Sequence, residues 1–502
     1  MAVATWILIA VYVAVTLFFV VRGALRTRSM QDYALGAIAF QPWAVALSLA
    51  ASMTSAATFI INPGFVAVYG FPAFWGYAVF LPLAAFISLI VLSKRFRQHG
   101  QQYKALTLAQ WMGARYQHKG MAVFFALLSL LLITFIVLIN VGITKILSAS
   151  LDVPETWVLG GVVVFVFGYM MFGGANSMVY TNMAQALIMV VVAVVLLTSG
   201  WSHFEAGVSG FLEKLQGIDP KLVAFSNPES PLFRDFFEIV ICQMVVGVAV
   251  VVQPHIITRA LLLRSDKDVN RYLTLGILVQ ALFFLVVFAG FFSRLTFPDL
   301  SIGGKPIGLD GIMSAYVVAR FPVIVGVIVV LGLISAGIST LEGLIQSLST
   351  TITSDILGRV FVWKKMPQGD RMQMRVNRLV IVVLAGVSFA FSLRQLLYPN
   401  LSVGIFAQNG VYAFFSAAFA PMMYGLFIKD FSPTAAFSAA ITAILVHFTT
   451  YYSGVVPYLT GTVRNPAVAA TFAIFSALAV GIVLHLALQK RPSPAPNLER
   501  HG

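Results

Sequence analysis

Runs of about twenty apolar residues recur thirteen times along this chain, each almost free of charge. A helix rising about 1.5 Å per residue needs a run of that length to cross the hydrocarbon core of a bilayer, about 30 Å thick. Lipid offers no partner to main-chain N–H and C=O groups, so only helices and closed barrels can cross it. The runs are continuous rather than alternating ten-residue segments, which selects helices. Composition agrees: 59% of the 502 residues are hydrophobic and 10% are charged, where soluble domains hold roughly a quarter charged residues. The expected fold class is an all-α membrane protein of about thirteen transmembrane helices, one polytopic domain over 1–502 with almost nothing outside the bilayer.

The spans read as 4–22, 42–69, 72–93, 121–148, 156–174, 177–200, 233–257, 272–292, 321–354, 376–395, 400–427, 434–454 and 466–488. The ninth is longer than a straight crossing needs, so it tilts or runs beyond the membrane. Residues 309–320 before it are expected to form an external helix. The first run, Ala4 to Val21, lacks a basic leader and an Ala-x-Ala cleavage site and reads as a retained span. The single cysteine, Cys242, lies inside an apolar run. That excludes an intrachain disulfide framework and a multi-cysteine metal site.

The net charge of +14 invites a nucleic-acid reading, but its distribution argues otherwise. Thirteen spans put the termini on opposite sides. With the N-terminus outside, the inner segments hold Arg22, Arg26 and Arg28, then Lys94, Arg95, Arg97, Lys104, Arg115 and Lys119. They also hold Arg259, Arg264, Lys267 and Arg271, then Arg359, Lys364, Lys365, Arg371, Arg375 and Arg378. Lys429, Lys490, Arg491 and Arg500 bring the set to 23 of the 32 basic residues. Inner loops of membrane proteins carry this excess, so the charge reports topology and no nucleic-acid partner is expected. The expected location is the inner (plasma) membrane, with the C-terminus in the cytoplasm. The longest loop, about 201–232, is too short for a soluble domain. The chain has no P-loop, no His-Glu-x-x-His and no Gly-x-Ser-x-Gly elbow. Neither an enzyme nor an ATP-driven pump is expected, and no obligate protein partner is evident.

A few spans depart from plain apolar helix. The second runs from Ser48 through Ser52, Thr54, Ser55 and Thr58 to Asn62-Pro63-Gly64. Such a helix packs closely and can break, freeing main-chain carbonyls; tight packing alone is the competing explanation. The ninth span carries Ser335, Ser339, Thr340 and Glu342. Two adjacent mid-span hydroxyls supply hard oxygen ligands of the kind Na⁺ takes. Glu342 lies three residues after Ser339, on nearly the same face. An intramembrane carboxylate suggests a pathway or coupling role, against an interhelical hydrogen bond. The seventh span ends Gln253-Pro254-His255-Ile256-Ile257-Thr258-Arg259, where His255 is either a proton carrier or a structural donor. Gln243, Gln408, Asn409 and Asn140 are mid-span amides, able to bind a solute or another helix.

These residues resemble the sodium/solute symporter family, whose members move proline, pantothenate, acetate, sialic acid and sugars. The resemblance spans the chain and rests on four motifs in order. They are Ala50-Ala-Ser-Met-Thr-Ser-Ala56, Phe172-Gly-Gly174 with Tyr180-Thr-Asn182-x-x-Gln185, Gln253-Pro-His-Ile-Ile-x-Arg259, and Ala336-Gly-Ile-Ser339-Thr340. It implies a leucine-transporter-type 5+5 inverted repeat with sites at broken helices near the midplane. The first repeat would be 42–200 and the second 233–427, with peripheral helices at 4–22 and 434–488. It further implies a Na⁺ site built from Ala51, Thr54, Ala336, Ser339 and Thr340, and a solute cavity bordered by Thr58, Gln243, Gln408 and Asn409.

Departures from the family pattern refine the expectation. Asn182 stands where several members carry an Asp that serves a second Na⁺ site, which implies one coupling ion. Met53 replaces an Asp of the proline branch, and Val246 and Val250 replace its aromatic solute contacts, which disfavours proline. With no acid on the broken second span, and with helix N-termini at the midplane, the expected solute is a small organic anion, monocarboxylate or pantothenate-like. The alternatives are an amino acid or other neutral solute, coupling to protons through Glu342 or His255, and a membrane sensor.

Overall fold

The computed structural model describes residues 2–37, 40–103, 105–263, 265–363, 369–399 and 402–489. Lys104, Arg264, Lys364, Lys365, Lys490, Arg491 and Arg500, counted above for topology, lie outside the described residues. Within them the regular structure is helical, apart from one two-stranded hairpin, Ser301–Ile302 against Lys305–Pro306. Ten helices are long and apolar enough to cross a bilayer, and two bent helix pairs bring the number to twelve. The remaining difference from thirteen expected spans lies in Glu155–Thr198, a 44-residue helix expected as two. It is interrupted at Gly174, whose φ of 56° and ψ of −157° are not helical. A Cβ at Gly174 would also meet the Tyr33 main chain within 3 Å, so glycine is required there twice over.

The two bent pairs follow from local sequence. In the first, Pro42–Met53 ends and Ala57–Tyr69 begins at 53° to it. Thr54 and Ser55 fall in the gap. Short hydroxyl side chains compete with the helix for main-chain groups, and Ser55 Oγ accepts from the N–H of Ala57 at 3.1 Å, capping the second half. In the second pair, Phe237–Val250 meets Pro254–Leu262 at 58°. Proline lacks an N–H and suits the first position of a new helix, and Gln253 takes the extended conformation that precedes a proline.

The 29-residue helix Val323–Thr351 is the central post, buried along most of its length. It packs on Glu155–Thr198, on Ile133–Leu151 and on Pro42–Met53. A helix at Ile312–Arg320 precedes it, within the segment expected to form one. The first helix, Ala2–Ala24, lies against Glu155–Thr198, and the last two, Pro433–Ser453 and Pro466–Gln489, pack on each other and on Val403–Phe427. Large apolar side chains such as Trp157, Val164, Leu445 and Val483 point outward. That surface would be a liability in water and is the normal finish for a protein solvated by lipid.

Candidate ion and solute site

The first break leaves the last carbonyls of Pro42–Met53 without helical partners. The central post supplies them. Ser339 Oγ donates to Ala51 O at 2.8 Å, and Thr340 Oγ1 donates to Ser52 O at 2.9 Å. The same hydroxyls lie 3.1 and 3.4 Å from the Ala336 carbonyl. Ala51, Thr54, Ala336, Ser339 and Thr340 are all fully buried, and Thr54 Oγ1 has no hydrogen-bond partner among the described residues. The result is a knot of neutral, hard oxygens at a helix break. Such donors suit an alkali cation rather than a transition metal, and no cluster of three His, Cys, Asp or Glu that could hold a metal exists among the described residues.

A buried polar network adjoins the knot. Arg259 donates to the hydroxyls of Ser48 and Ser52. Of the two orientations of the Asn182 amide, one matches donors to acceptors throughout. Its oxygen then faces Ser52 Oγ at 2.9 Å and Arg259 at 3.0 Å, and its nitrogen donates to Gln185 Oε1 at 3.0 Å and Glu342 Oε2 at 2.9 Å. Glu342 also accepts from Tyr169 and from Thr181 at 2.7 Å, with Gln185 Nε2 at 3.5 Å. Gln185 in turn donates to Tyr12 on the first helix at 2.7 Å. No direct ion pair joins Glu342 and Arg259 among the described residues; Asn182 stands between them. A buried charge is tolerated when it is hydrogen-bonded and offset, and here one amide carries both functions. Because the two charges offset each other, attraction for a cation at the knot rests on the carbonyl and hydroxyl dipoles.

A cavity of about 100 Å³ opens beside both breaks. Met53, Ser55 and Ala57 reach it from the first break, and Val250 and Gln253 from the second. Thr58, Asn62, Tyr77, Gln408 and Tyr412 add polar groups, and Phe135, Leu138 and Phe284 form an apolar wall. Gln408 donates to Tyr77 at 3.2 Å, and Gln253 Oε1 has no partner among the described residues. Among the described residues, no charged side chain lines the cavity. The helices starting at Ala57 and Pro254 begin beside it and those ending at Met53 and Val250 stop there, so two positive and two negative dipole ends lie at its edge.

Of the residues the sequence pointed to, Thr58 and Gln408 stand on the cavity wall. Gln243 is buried off that wall, where its Cγ and the Phe233 ring both approach Gly76. Asn409 turns toward Pro433–Ser453, donating to Tyr452 at 2.9 Å with His447 at 3.0 Å. Asn140 donates to Ser392 at 3.3 Å and ties two helices together. His255 is buried with neither ring nitrogen partnered among the described residues. Tyr12, Tyr77 and Tyr169 were not singled out from sequence, since a tyrosine inside an apolar run reads as one more hydrophobic residue.

Known proteins share this fold. The sodium:solute symporter family model matches residues 33–443. The sodium/pantothenate symporter of Escherichia coli (strain K12) is 28% identical, over 86% of this chain and 89% of its own. Sodium/proline symporter 2 of Staphylococcus saprophyticus is 25% identical, over 88% and 85%. Among solved structures, a Na⁺-coupled sialic acid symporter in a substrate-bound outward-open state superposes with a TM-score of 0.77 at 18% identity, covering 96% of this chain and 98% of that one. A nucleobase-cation-symport-1 family transporter gives a TM-score of 0.54 at 13% identity, over 92% and 94%. The leucine-transporter-type fold expected from the motifs is therefore the fold observed. With a family model matched over most of its length, the chain belongs to the sodium:solute symporter family, and Na⁺ is its coupling ion.

Proposed function

We propose that the protein couples one Na⁺ to the inward movement of one small organic anion, of monocarboxylate or pantothenate-like class, by alternating access. Ala51, Thr54, Ala336, Ser339 and Thr340 hold the ion, through main-chain oxygens of the first three and hydroxyls of the last two. The observation that carries this is the pair of hydroxyls, Ser339 and Thr340, set on the carbonyls of Ala51 and Ser52 at the break. Na⁺ exchanges its water for these oxygens, and the two helices close on it. Repeats at 42–200 and 233–427 supply the moving parts, each contributing one break to the cavity wall. The excess of basic residues in alternate inter-span segments supports an orientation with those segments in the cytoplasm and the N-terminus outside.

The anion assignment rests on two helix N-termini at the cavity edge and on a wall without carboxylates among the described residues. The similarity to a sodium/pantothenate symporter points the same way. One observation favours a second reading: among the described residues no Lys or Arg lines the cavity, which suits a neutral solute rich in hydroxyl or amide groups. Counterflow in proteoliposomes, across carboxylates, vitamins, amino acids and sugars, separates the two. Exchange of a carboxylate, lost when its carboxyl is amidated, is the expected result. Exchange of neutral solutes alone would rule the anion out.

A further inference from the structure

Along the bilayer-facing side of the first helix runs a groove of about 640 Å³. Leu17, Val21 and Leu25 form one wall, and Val164, Gly168 and Phe172 of Glu155–Thr198 form the other. Val21, Leu25 and Val164 are 59%, 76% and 75% exposed, so the groove opens to lipid. Gly168 hollows its wall, since a Cβ added there meets nothing within 4 Å. Each wall spans eight residue steps, about 12 Å of helix rise, close to one leaflet's share of a core about 30 Å thick.

The groove ends in positive charge. Arg378 closes it and lies 4.8 Å over the Phe172 ring. Arg371 and Arg375 are exposed on the same helix face. None of these three arginines pairs with a carboxylate among the described residues. A chain-shaped apolar groove that ends in unpaired guanidinium groups at headgroup depth matches an anionic phospholipid in both shape and charge.

The groove also touches the transport machinery. Tyr169 forms part of it and donates to Glu342. Glu342 is joined through Asn182 to Ser52, whose carbonyl receives Thr340. We propose that this groove binds one anionic phospholipid, an acyl chain along its floor and the phosphate on Arg378, and that its occupancy raises Na⁺ affinity by holding Tyr169 on Glu342.

The test uses full-length protein in nanodiscs of phosphatidylcholine alone or of phosphatidylcholine with an equal part of phosphatidylglycerol. Retained lipid is read by native mass spectrometry, and Na⁺ affinity by equilibrium binding of radiolabelled Na⁺. Wild-type protein should retain phosphatidylglycerol, and its half-saturating Na⁺ concentration should be about fivefold or more lower in the mixed discs. Arg378→Gln and Gly168→Leu should each lose the retained lipid and the difference in Na⁺ affinity, whereas Arg394→Gln, exposed at the other end of the Arg378 helix, should keep both. Phosphatidylglycerol held equally by wild type, Arg378→Gln and Gly168→Leu would overturn the site. Retention without any difference in Na⁺ affinity would overturn the coupling. If Gly168→Leu fails to fold, Arg378→Gln on the surface carries the test alone.

Discussion

Ser339 of the central post donates its hydroxyl hydrogen to the main-chain oxygen of Ala51, at the end of a helix that stops three residues short of its own continuation. The bond satisfies a carbonyl orphaned by the break and sets two oxygens of the proposed ion site 2.8 Å apart. Under that proposal, removing the hydroxyl unsettles both the break and the ion. Ser339→Ala and Thr340→Ala should each weaken Na⁺ binding by about 1.5–3 kcal/mol, roughly ten- to more than a hundredfold, as expected for a hydrogen-bond-strength contact to a charge. Uptake measured against Na⁺ concentration should show the shift, with partial rescue at high Na⁺ and a Hill coefficient near one. Because ion and solute binding are linked, solute affinity at low Na⁺ should fall as well. A charge-to-solute ratio that requires two Na⁺ would refute the stoichiometry.

Glu342 and Arg259 offset one another through Asn182. Glu342→Ala leaves Arg259 buried without its counter-charge and should cost about 3–5 kcal/mol of stability, seen as a lower melting temperature in detergent. The double variant Glu342→Gln, Arg259→Gln should cost clearly less than the sum of its two singles. Simple additivity would show that the amide does not link them.

The cavity wall divides the four amide and hydroxyl candidates into two pairs. Thr58→Ala and Gln408→Ala should raise the solute KM about tenfold with little change in Na⁺ dependence, as expected for losing one or two neutral hydrogen bonds. Gln243→Ala and Asn409→Ala should leave KM within a factor of a few and act on stability instead. Equal KM effects at all four positions would place Gln243 and Asn409 on the solute path.

At the far end of the second broken pair, Glu238 is fully buried and held by Arg234. Arg234 also donates to the Tyr458 carbonyl at 2.6 Å, and Asn465 donates to Glu238 at 3.1 Å. This clasp joins the start of the second broken pair to the loop before the last helix. Arg234→Ala strands the carboxylate and should cost about 3–5 kcal/mol. Arg234→Lys should recover only part of it, because a lysine cannot make the two-point contact. Thermal melting of the purified protein distinguishes these outcomes.

Orientation is open to direct measurement. In a Cys242→Ser background, cysteines at positions 2 and 498 should react with a membrane-impermeant maleimide from opposite sides, position 2 from outside. Labelling of both from one face would remove the odd number of crossings.

Adjacent hydroxyls in an otherwise apolar helix are costly to leave without partners, so Ser339 and Thr340 stood out in sequence, and the structure sets them against the break. The hydroxyl-rich second span reads as one that can break, and the structure sets the break at 54–56 rather than at Pro63-Gly64; the seventh span reads as ending near Pro254, where the structure instead bends and continues to Leu262. What sequence could not resolve was rotation about each helix axis. Gln408 and Asn409 are neighbours about 100° apart on a helical wheel, so one faces the cavity while the other faces Tyr452. Nor could it reveal tyrosines used for their hydroxyls, since Tyr169 differs from Phe165 by a single oxygen and that oxygen finds Glu342.

The pairing of Pro42–Met53 with the central post also sets a schedule for making the protein. Ser339 lies 288 residues beyond Ala51. At ribosomal rates of about 5–20 residues per second, the carbonyls of the first break wait about 15–60 s for their hydroxyl partners. Until then the segment must stay beside water, the insertion machinery or a surrogate helix, because lipid offers it nothing. Nascent chains arrested before residue 339 should therefore hold this segment in a protease- or label-accessible state, and chains arrested well after residue 351 should not.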